Sequence, residues 1–335
     1  DVVTENFKPG GLRRFGLDYE SVKRENPSVI YASITGFGTA GGAGLAGYDL
    51  LAQALSGLMS VTGAPNTEGF RAGVAVFDVI TGLHTCIAIT SALYHRQRSG
   101  EGQHVELNLL SSALSGMVNQ TGGFLLSGQS PTRMGNDHPS IYPYAPFRTH
   151  DGELVLAIGN DAQFVAFCRL MGADWHLQPD FATNAGRLTH LKRLRPLLRE
   201  KLAAWRVEAL GRALDEHGIS WGDVNDMEQV FAHPQVRHRQ MLQTPCAPVL
   251  DVRGGVEFAA KIGLEPSVAA GTGDHAVPTI RNPITFSRTP ASYRAAPPAL
   301  DQDGEAVRRW LQVAEDDEDH VGDRVTVPAI RKEGR

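Results

Sequence analysis

The feature that most constrains the fold is a strand, a helix and a second strand that follow one another within the first 35 residues. Residues 1–7 are typical of a strand that runs into a glycine-rich turn, and residues 17–26 predict a short helix that stops at Pro27. An apolar run at residues 29–34 predicts the second strand. This alternation favours parallel strands joined by crossover helices, so the sequence predicts an α/β fold with a parallel sheet.

Asp78 is predicted to lie at a strand-to-helix junction. The apolar run at residues 73–77 predicts a strand, and residues 79–96 predict a helix that contains no proline and ends in basic residues. The first N–H groups of a helix lack partners, and the helix dipole favours negative charge, so this carboxylate is expected to stay ionised. In this context Asp78 is either an N-cap or a carboxylate nucleophile.

Composition excludes several classes of protein. A chain of 335 residues is long enough for two domains, and its net charge of −5 argues against a nucleic-acid partner. No apolar run approaches the ~20 residues that span a bilayer, so no membrane partner is expected. Cys86, Cys168 and Cys246 show neither metal-ligand spacing nor a disulfide pattern, which predicts no metal site and a cytoplasmic location.

The domain organisation follows from the order of the predicted elements. Asp1 is not an initiator methionine, and the chain opens like the middle of a domain, so the start of a large domain is expected to be missing. A hairpin around Asp151-Gly152 opens a smaller domain, and the basic residues within 184–205 predict a solvated helix face. The predicted segments are a large domain at 1–125, a loop at 126–144, a small domain at 145–243, a return to the large domain at 244–320 and a charged tail at 321–335.

Several short motifs then occur in a characteristic order along the chain. They are Glu5–Gly10, Gly47-Tyr48-Asp49, the Asp78 junction, Gly100–Glu106, Gly135-Asn136 with His138-Pro139, Asp151-Gly152 and Gly159-Asn160-Asp161. Together they resemble the class III CoA-transferases, which include formyl-CoA transferase and carnitine CoA-transferase. The resemblance implies a Rossmann-like parallel-sheet large domain and a smaller α+β domain. It also implies an interlocked homodimer, with two chains threaded through each other like linked rings.

The resemblance also implies roles for individual residues. Asp78 aligns with the nucleophilic aspartate of the family, and Tyr48 aligns with a tyrosine beside the acyl group. The residues that fall where the family contacts coenzyme A are Asn6, Phe7, Lys8, Arg14 and Phe15. Coenzyme A thioester is then a substrate together with a carboxylic acid, and no tightly bound cofactor is expected. Three further residues are candidates for binding the second substrate, namely His138, Arg71 and Arg133; an arginine binds a carboxylate through two hydrogen bonds.

Carboxylate chemistry explains why these residue types are present. A carboxylate can attack the thioester to form an aspartyl anhydride, and the released thiolate can then form an aspartyl-CoA thioester. Oxyanion stabilisation is expected from the Tyr48 hydroxyl and from backbone N–H groups that follow Asp78. The mobile glycine-run loop of formyl-CoA transferase is absent from this sequence, which favours a dicarboxylate such as succinate as the donor acid.

Two alternatives remain open at the level of sequence. One is an α-methylacyl-CoA racemase, a relative with the same fold that moves a proton at the α-carbon. That group typically carries histidine where this chain has Tyr48, and a phenol is a poor base at neutral pH. The other alternative is a catalytically inactive CoA-binding subunit or fragment.

Overall fold

The computed structural model describes residues 1–243, 278–293, 298 and 300–318. The chain divides into two compact units, Asp1–Asp223 and Val224–Arg335. Within the first unit, residues 1–127 are called the first lobe below and residues 142–223 the second lobe. The domain boundaries inferred from the sequence stay predictions.

The first lobe is a parallel sheet with helices between its strands. In chain order its elements are β1 (Val2–Glu5), α1 (Tyr19–Glu25), β2 (Ile30–Thr35), α2 (Asp49–Leu55), α3 (Leu58–Val61), α4 (Val76–Ser99), β3 (Gln103–Asn108), α5 (Leu109–Gly116) and α6 (Val118–Ser127). The strands lie in the order β1-β2-β3, and both pairs are parallel. Parallel neighbours need crossover connections, which the helices supply. This confirms the predicted α/β class with a parallel sheet.

The buried parts of the first lobe lie along the central strand and under α4. On β2, Ile30, Tyr31 and Ala32 are each at most 2% exposed, as expected for a strand with neighbours on both edges and on its faces. A separate small cluster joins α2, α4 and α5 through Ala52, Phe77, Leu109 and Ala113. Because Phe77 belongs to this cluster, the cluster holds the start of α4 in place.

The prediction of a strand at residues 73–77 is wrong. Residues 71–75 form a loop without regular structure, and α4 begins at Val76 and ends at Ser99. The single helix that the sequence favours at residues 111–122 is also interrupted, because α5 ends at Gly116 and α6 begins at Val118, which has a φ of 33°. In both places the apolar residues of the sequence continue through a point where the regular backbone conformation ends.

Among the described residues, α4 is one helix that is long and apolar enough to cross a membrane by length and composition alone. Its most apolar 18-residue stretch has a mean hydropathy of 1.6, and 22% of that stretch is buried. The expectation that no apolar run approaches this length is therefore not met. Core helices of soluble proteins pass the same criterion, so this property alone decides nothing about a membrane.

The second lobe is an antiparallel sheet covered by helices. Its elements are β4 (Tyr144–Arg148), β5 (Glu153–Ala157), α7 (Asp161–Leu170), α8 (Asn184–Thr189), α9 (Leu191–Ala203), α10 (Val207–Glu216) and β6 (Ser220–Asp223). The hairpin predicted around Asp151-Gly152 is confirmed, since β4 pairs with β5 in antiparallel register. Strand β6 completes the sheet on the other side of β5. Its core is larger than that of the first lobe and includes Leu154, Leu156, Phe164 and Phe167, all at 0% exposure.

The expectation of a solvated basic face within residues 184–205 is wrong for Arg187. This side chain is 0% exposed and forms an ion pair with Asp161 at 2.8 Å. Arg193 on the next helix does follow the expectation, since its side chain is 62% exposed. The sequence pattern predicts the same exposure for both arginines, but in the structure one side chain is buried and the other is exposed.

The described part of the second unit consists of four short elements and one longer helix. These are α11 (Met227–Ala232), α12 (Pro234–His238), β7 (Leu242–Gln243), β8 (Thr279–Ile280) and α13 (Gly304–Glu318). Strands β7 and β8 pair in antiparallel register. The sequence of residues 280–286 favours a strand, but β8 ends at Ile280. The sequence also favours extended structure at residues 249–252, which lie outside the described residues together with the charged tail.

Candidate active site

A cavity of about 340 Å³ lies at the carboxyl ends of the parallel strands and is lined by half of the residues predicted to act. Its lining includes Asn6, Phe7, Lys8, Tyr48 and Asp78. Ligands of open α/β sheets bind in this position, outside the carboxyl ends of the strands. The volume is at the lower end of the ~300–1,000 Å³ usual for ligand pockets.

Each wall of the cavity comes from a segment that follows a strand or precedes a helix. Residues 6–9 follow β1, and Thr35, Gly36 and Gly38 lie at or just after the end of β2. Leu109 lies directly after β3. The sheet therefore brings together residues that are up to 103 positions apart in the chain.

A close backbone contact holds Tyr48 against the sheet. A Cβ atom added to Gly36 would lie 2.4 Å from the Cα atom of Gly47, and one added to Gly47 would lie 2.9 Å from the Cα atom of Gly36. Real Cβ atoms do not approach other atoms this closely, so only glycine at both positions lets the two segments touch. Tyr48 follows directly as the N-cap residue of α2, with its side chain 69% exposed.

Asp78 is the third residue of α4 and not its N-cap. Ala75 occupies the N-cap position and has no side chain that can accept a hydrogen bond there. The Asp78 side chain faces the cavity and is largely exposed, while the preceding Phe77 is 2% exposed. The helix therefore buries the Phe77 side chain and exposes the Asp78 carboxylate to the cavity.

Asp49 takes the helix donors that were expected to serve Asp78. Its Oδ1 accepts hydrogen bonds from the backbone N–H groups of Phe77 at 2.8 Å and Asp78 at 3.2 Å. The next donor in the turn, the Val79 N–H, reaches the Ala75 carbonyl at 3.1 Å. The prediction that the first N–H groups of this helix form an oxyanion site is therefore wrong.

The pKa of Asp78 is raised, opposite to the direction expected from its position on a helix. Partial burial of the carboxyl is the larger cause, and the negative charge of Asp49 is the second. Both disfavour the charged form of the side chain. A carboxylate with a raised pKa is more basic, and basicity favours attack on a carbonyl carbon.

The remaining predicted residues do not line this cavity. Arg14 and Phe15 are exposed on the turn after β1, where the guanidinium lies 4.5 Å from the centre of the phenyl ring. Arg71 is exposed on the loop before α4. Arg133 packs beside Gly63 and donates to the Ser60 carbonyl at 3.4 Å.

His138 also lies apart from the cavity. Its ring packs against Tyr144 with the centres 5.2 Å apart, and its Nδ1 accepts the Ser140 N–H at 3.1 Å. Its neighbours in the chain line a different cavity of about 270 Å³, together with Arg195 and Arg199. A role for His138, Arg71 or Arg133 in binding the second acid stays a prediction.

Two residues of the site were missed as functional groups by sequence reasoning. Asp49 was recognised only as part of a motif and Gln53 was given no role, yet their side chains organise the start of α4. The available signal was their spacing of four residues on a helix that is otherwise apolar, which places both on one face. Among the described residues no group of three potential metal ligands occurs.

Comparison with known proteins assigns the chain to a family. The profile of CoA-transferase family III matches residues 1–261. A succinate–glutarate CoA-transferase from Agrobacterium fabrum is 39% identical over 317 residues, covering 94% of this chain and 73% of that protein. A human succinyl-CoA:glutarate CoA-transferase is 36% identical over 244 residues, covering 72% of this chain and 56% of that protein. The chain thus spans between about half and three quarters of the length of these relatives.

Solved structures agree with this assignment. A CAIB/BAIF family protein from Brucella suis superposes with a TM-score of 0.76 at 39% identity, covering 93% of this chain and 75% of that one. A protein from Mycobacterium tuberculosis superposes with a TM-score of 0.75 at 22% identity, which shows a shared fold.

Proposed function

Because the chain belongs to CoA-transferase family III, we propose that it transfers coenzyme A between carboxylic acids through covalent intermediates on Asp78. The observation that carries the proposal is that Asp78, Tyr48, Asn6, Phe7 and Lys8 line the same cavity at the strand ends. The proposal is supported by a carboxylate with a raised pKa, a hydroxyl donor and an ammonium group that line the same cavity. These are the groups that acyl transfer to a carboxylate requires.

The proposed reaction begins with attack of the Asp78 carboxylate on the thioester carbonyl of the donor acyl-CoA. The C–S bond breaks, which leaves a mixed anhydride on Asp78 and free CoA thiolate. The thiolate then attacks the aspartyl carbonyl, which releases the donor acid as a carboxylate and leaves an aspartyl-CoA thioester. The acceptor carboxylate attacks that thioester, and the thiolate then attacks the acceptor's carbonyl, which restores Asp78 and forms the new acyl-CoA.

The tetrahedral intermediates of these steps need hydrogen-bond donors. Since the first-turn N–H groups of α4 are occupied by Asp49 and Ala75, the proposal assigns oxyanion stabilisation to the Tyr48 hydroxyl. The Lys8 ammonium supplies positive charge in the same cavity. Asn6, Phe7 and Lys8 are assigned to the thioester arm of coenzyme A, with Arg14 and Phe15 further out.

A dicarboxylate is the proposed donor acid. The relatives from Agrobacterium fabrum and Homo sapiens carry succinate or succinyl-CoA in their names, as does a succinyl-CoA:mesaconate CoA-transferase from Haloarcula marismortui at 33% identity. Succinyl-CoA is therefore the first substrate to test, with glutarate as the acceptor. The proposed location is the cytoplasm.

The active form is proposed to be a homodimer. On α4, Val79, Leu83 and Ile87 are 58–62% exposed and recur every four residues, so they form a stripe on one face of the helix. Contiguous exposed apolar surface of this kind marks an interaction site. A second copy of the chain is the proposed partner of this stripe.

The decisive experiment changes the nucleophile. Asp78→Asn preserves shape but removes the attacking charge, and we expect CoA transfer from succinyl-CoA to glutarate to fall by at least about 10⁴-fold. Binding of succinyl-CoA, measured by calorimetry, should change little, because the proposed CoA contacts lie on residues 6–15. Asp174→Asn, an exposed carboxylate of the second lobe, is the control and should retain full activity.

Trapping distinguishes this mechanism from the alternatives. Wild-type protein treated with succinyl-CoA and hydroxylamine, without an acceptor acid, should give a hydroxamate on the peptide that contains Asp78. Transfer activity in Asp78→Asn would overturn the mechanism. Incorporation of deuterium from heavy water at the α-carbon of a 2-methylacyl-CoA, without exchange of CoA, would establish racemase chemistry instead.

A further inference from the structure

The start of α4 is capped by a residue from a different helix. Asp49 lies at the first position of α2, and its Oδ1 accepts the N–H groups of Phe77 and Asp78 at 2.8 and 3.2 Å. These residues are 28 and 29 positions further along the chain. Since Ala75 cannot cap the helix with its side chain, Asp49 satisfies two of the first-turn donors that a helix leaves open.

Gln53 extends the same connection to the loop before α4. Its side chain is 0% exposed, and its Oε1 accepts the Ala72 N–H at 2.8 Å. Its Nε2 donates to Asp49 Oδ2 and, at 3.4 Å, to the Val74 carbonyl. Asp49 and Gln53 therefore bind the loop and the first turn of α4 along one face of α2.

This arrangement couples the two proposed catalytic side chains. Tyr48 immediately precedes Asp49 in the chain, and Asp49 accepts the backbone N–H of Asp78. Tyr48 is therefore linked to the start of α4 through Asp49. Any movement of α2 relative to α4 would change the distance between the Tyr48 hydroxyl and the Asp78 carboxylate. The two hydrogen bonds that Asp49 accepts from the start of α4 oppose that movement directly.

We propose that Asp49, supported by Gln53, is a positioning residue that holds the Asp78 nucleophile in register with Tyr48. The inference rests on the proposed function and adds to it a residue that does not itself touch the reacting atoms. Misplacement of a reacting group by about 1 Å can cost about 10²-fold in rate. The rate of the chemical step, and not substrate binding, is therefore what Asp49 controls.

The charge of Asp49 has a second, separable effect. It raises the pKa of Asp78, together with partial burial of that carboxyl. The other ionisable groups of this cavity are Tyr48 on the α2 side and Lys8 after β1, while His84, further along α4, bonds the Ser112 hydroxyl on α5. Removing the charge of Asp49 should therefore lower the pKa of Asp78, so that the nucleophile stays ionised to lower pH.

Two variants separate geometry from charge. Asp49→Ala removes both hydrogen bonds, and we expect kcat to fall by about 10²-fold while KM for succinyl-CoA stays within about threefold of wild type. Asp49→Asn keeps an Oδ1 acceptor for the two N–H groups but removes the charge, and it also removes the Oδ2 acceptor of Gln53. We expect it to retain most of its kcat at neutral pH, with the acid limb of kcat/KM displaced to lower pH, because that limb reports ionisation of groups in the free enzyme.

Asp151→Asn is the matched control. Asp151 Oδ1 likewise accepts a backbone N–H at the start of a distant helix, that of Val207 on α10, at 2.9 Å. The control should change thermal stability without changing kcat or the acid limb.

The possible failures are distinguishable. Wild-type protein that transfers no CoA would refute the proposed function itself. Active wild-type protein combined with a folded Asp49→Ala whose kcat lies within threefold of wild type would refute the positioning role alone. If Asp49→Ala does not fold, an Asp49→Asn variant that is folded but loses kcat by about 10²-fold at neutral pH overturns the positioning role, and an acid limb that stays in place or moves to higher pH overturns the effect of the charge.

Discussion

Arg187 is a fully buried cation whose hydrogen bonds join distant parts of the second lobe. Its Nε donates to the Tyr142 carbonyl at 2.7 Å, and one terminal nitrogen donates to the Phe181 carbonyl at 3.1 Å. The other terminal nitrogen pairs with Asp161 at 2.8 Å, and the guanidinium lies 4.3 Å from the centre of the Phe164 ring. A charge this well paired is tolerated in a core, but removing one partner leaves the other polar groups without compensation.

We therefore expect Arg187→Ala to lower the free energy of unfolding by about 3–5 kcal/mol, measured by urea denaturation. Arg193→Ala is the matched control, since Arg193 also pairs with an aspartate, Asp180, and also lies over a phenylalanine ring. Its side chain is 62% exposed, so its removal should cost only about 0–1 kcal/mol. Equal losses in the two variants would contradict the assigned role of burial.

At the scale of elements, the site depends on the contact between the end of β2 and the start of α2. Gly36 and Gly47 bring the two backbones together, and Tyr48 and Asp49 follow directly from that contact. The cavity is therefore set by how closely a strand end and a helix start can approach. A side chain at either glycine would force the segments apart.

We expect Gly47→Ala to lower kcat by about tenfold or more and to destabilise the protein by about 1–3 kcal/mol through overpacking. The reason is that its Cβ would lie 2.9 Å from both the N and Cα atoms of Gly36. Steady-state kinetics and thermal unfolding measure the two effects. Gly222→Ala on β6 is the control, because no atom lies within 4 Å of an added Cβ there, and its kcat should equal that of wild type. Unchanged kcat in Gly47→Ala would show that the close approach does not matter for the site.

At the scale of the whole molecule, the apolar stripe on α4 lies opposite the face of the helix that packs into the first lobe. The buried face carries Phe77, Thr81, Thr85 and Ala92, while the stripe of Val79, Leu83 and Ile87 stays exposed. On α6, Leu125 and Leu126 are 80% and 92% exposed and add further apolar surface. An apolar surface on this scale is more stable when covered by a partner.

We expect light scattering to give twice the chain mass for the wild-type protein. A combined Leu83→Glu and Ile87→Glu variant should shift the mass toward one chain or reduce solubility, because it places charge on the stripe. Leu177→Glu is the control, since Leu177 is 73% exposed and belongs to a short helical turn of the second lobe. A soluble wild-type monomer would contradict the proposed dimer, and co-sedimentation with phospholipid vesicles would assign the stripe to a membrane surface.

The sequence by itself determined the features that depend on neighbouring residues. The alternation of apolar runs, turns and helical segments was enough for β1, β2 and the β4–β5 hairpin, because strands and tight turns are encoded over a few residues. The ordered motifs were enough for the family, which the profile match and the relatives confirm. Asp78, Tyr48 and residues 6–8 line one cavity because the sheet aligns the carboxyl ends of its strands, and the roles assigned to them stay predictions.

Only the tertiary structure decided the features that depend on residues far apart in the chain. Residues 71–75 form a loop because Gln53 supplies their hydrogen bonds from another helix, and no local pattern encodes that partner. The pKa of Asp78 is raised because burial and the charge of Asp49, 29 positions earlier, outweigh the helix dipole. Arg187 is buried because its partner Asp161 lies 26 positions away on a different helix. In each case the deciding interaction is a contact in space, which the order of residues alone does not specify.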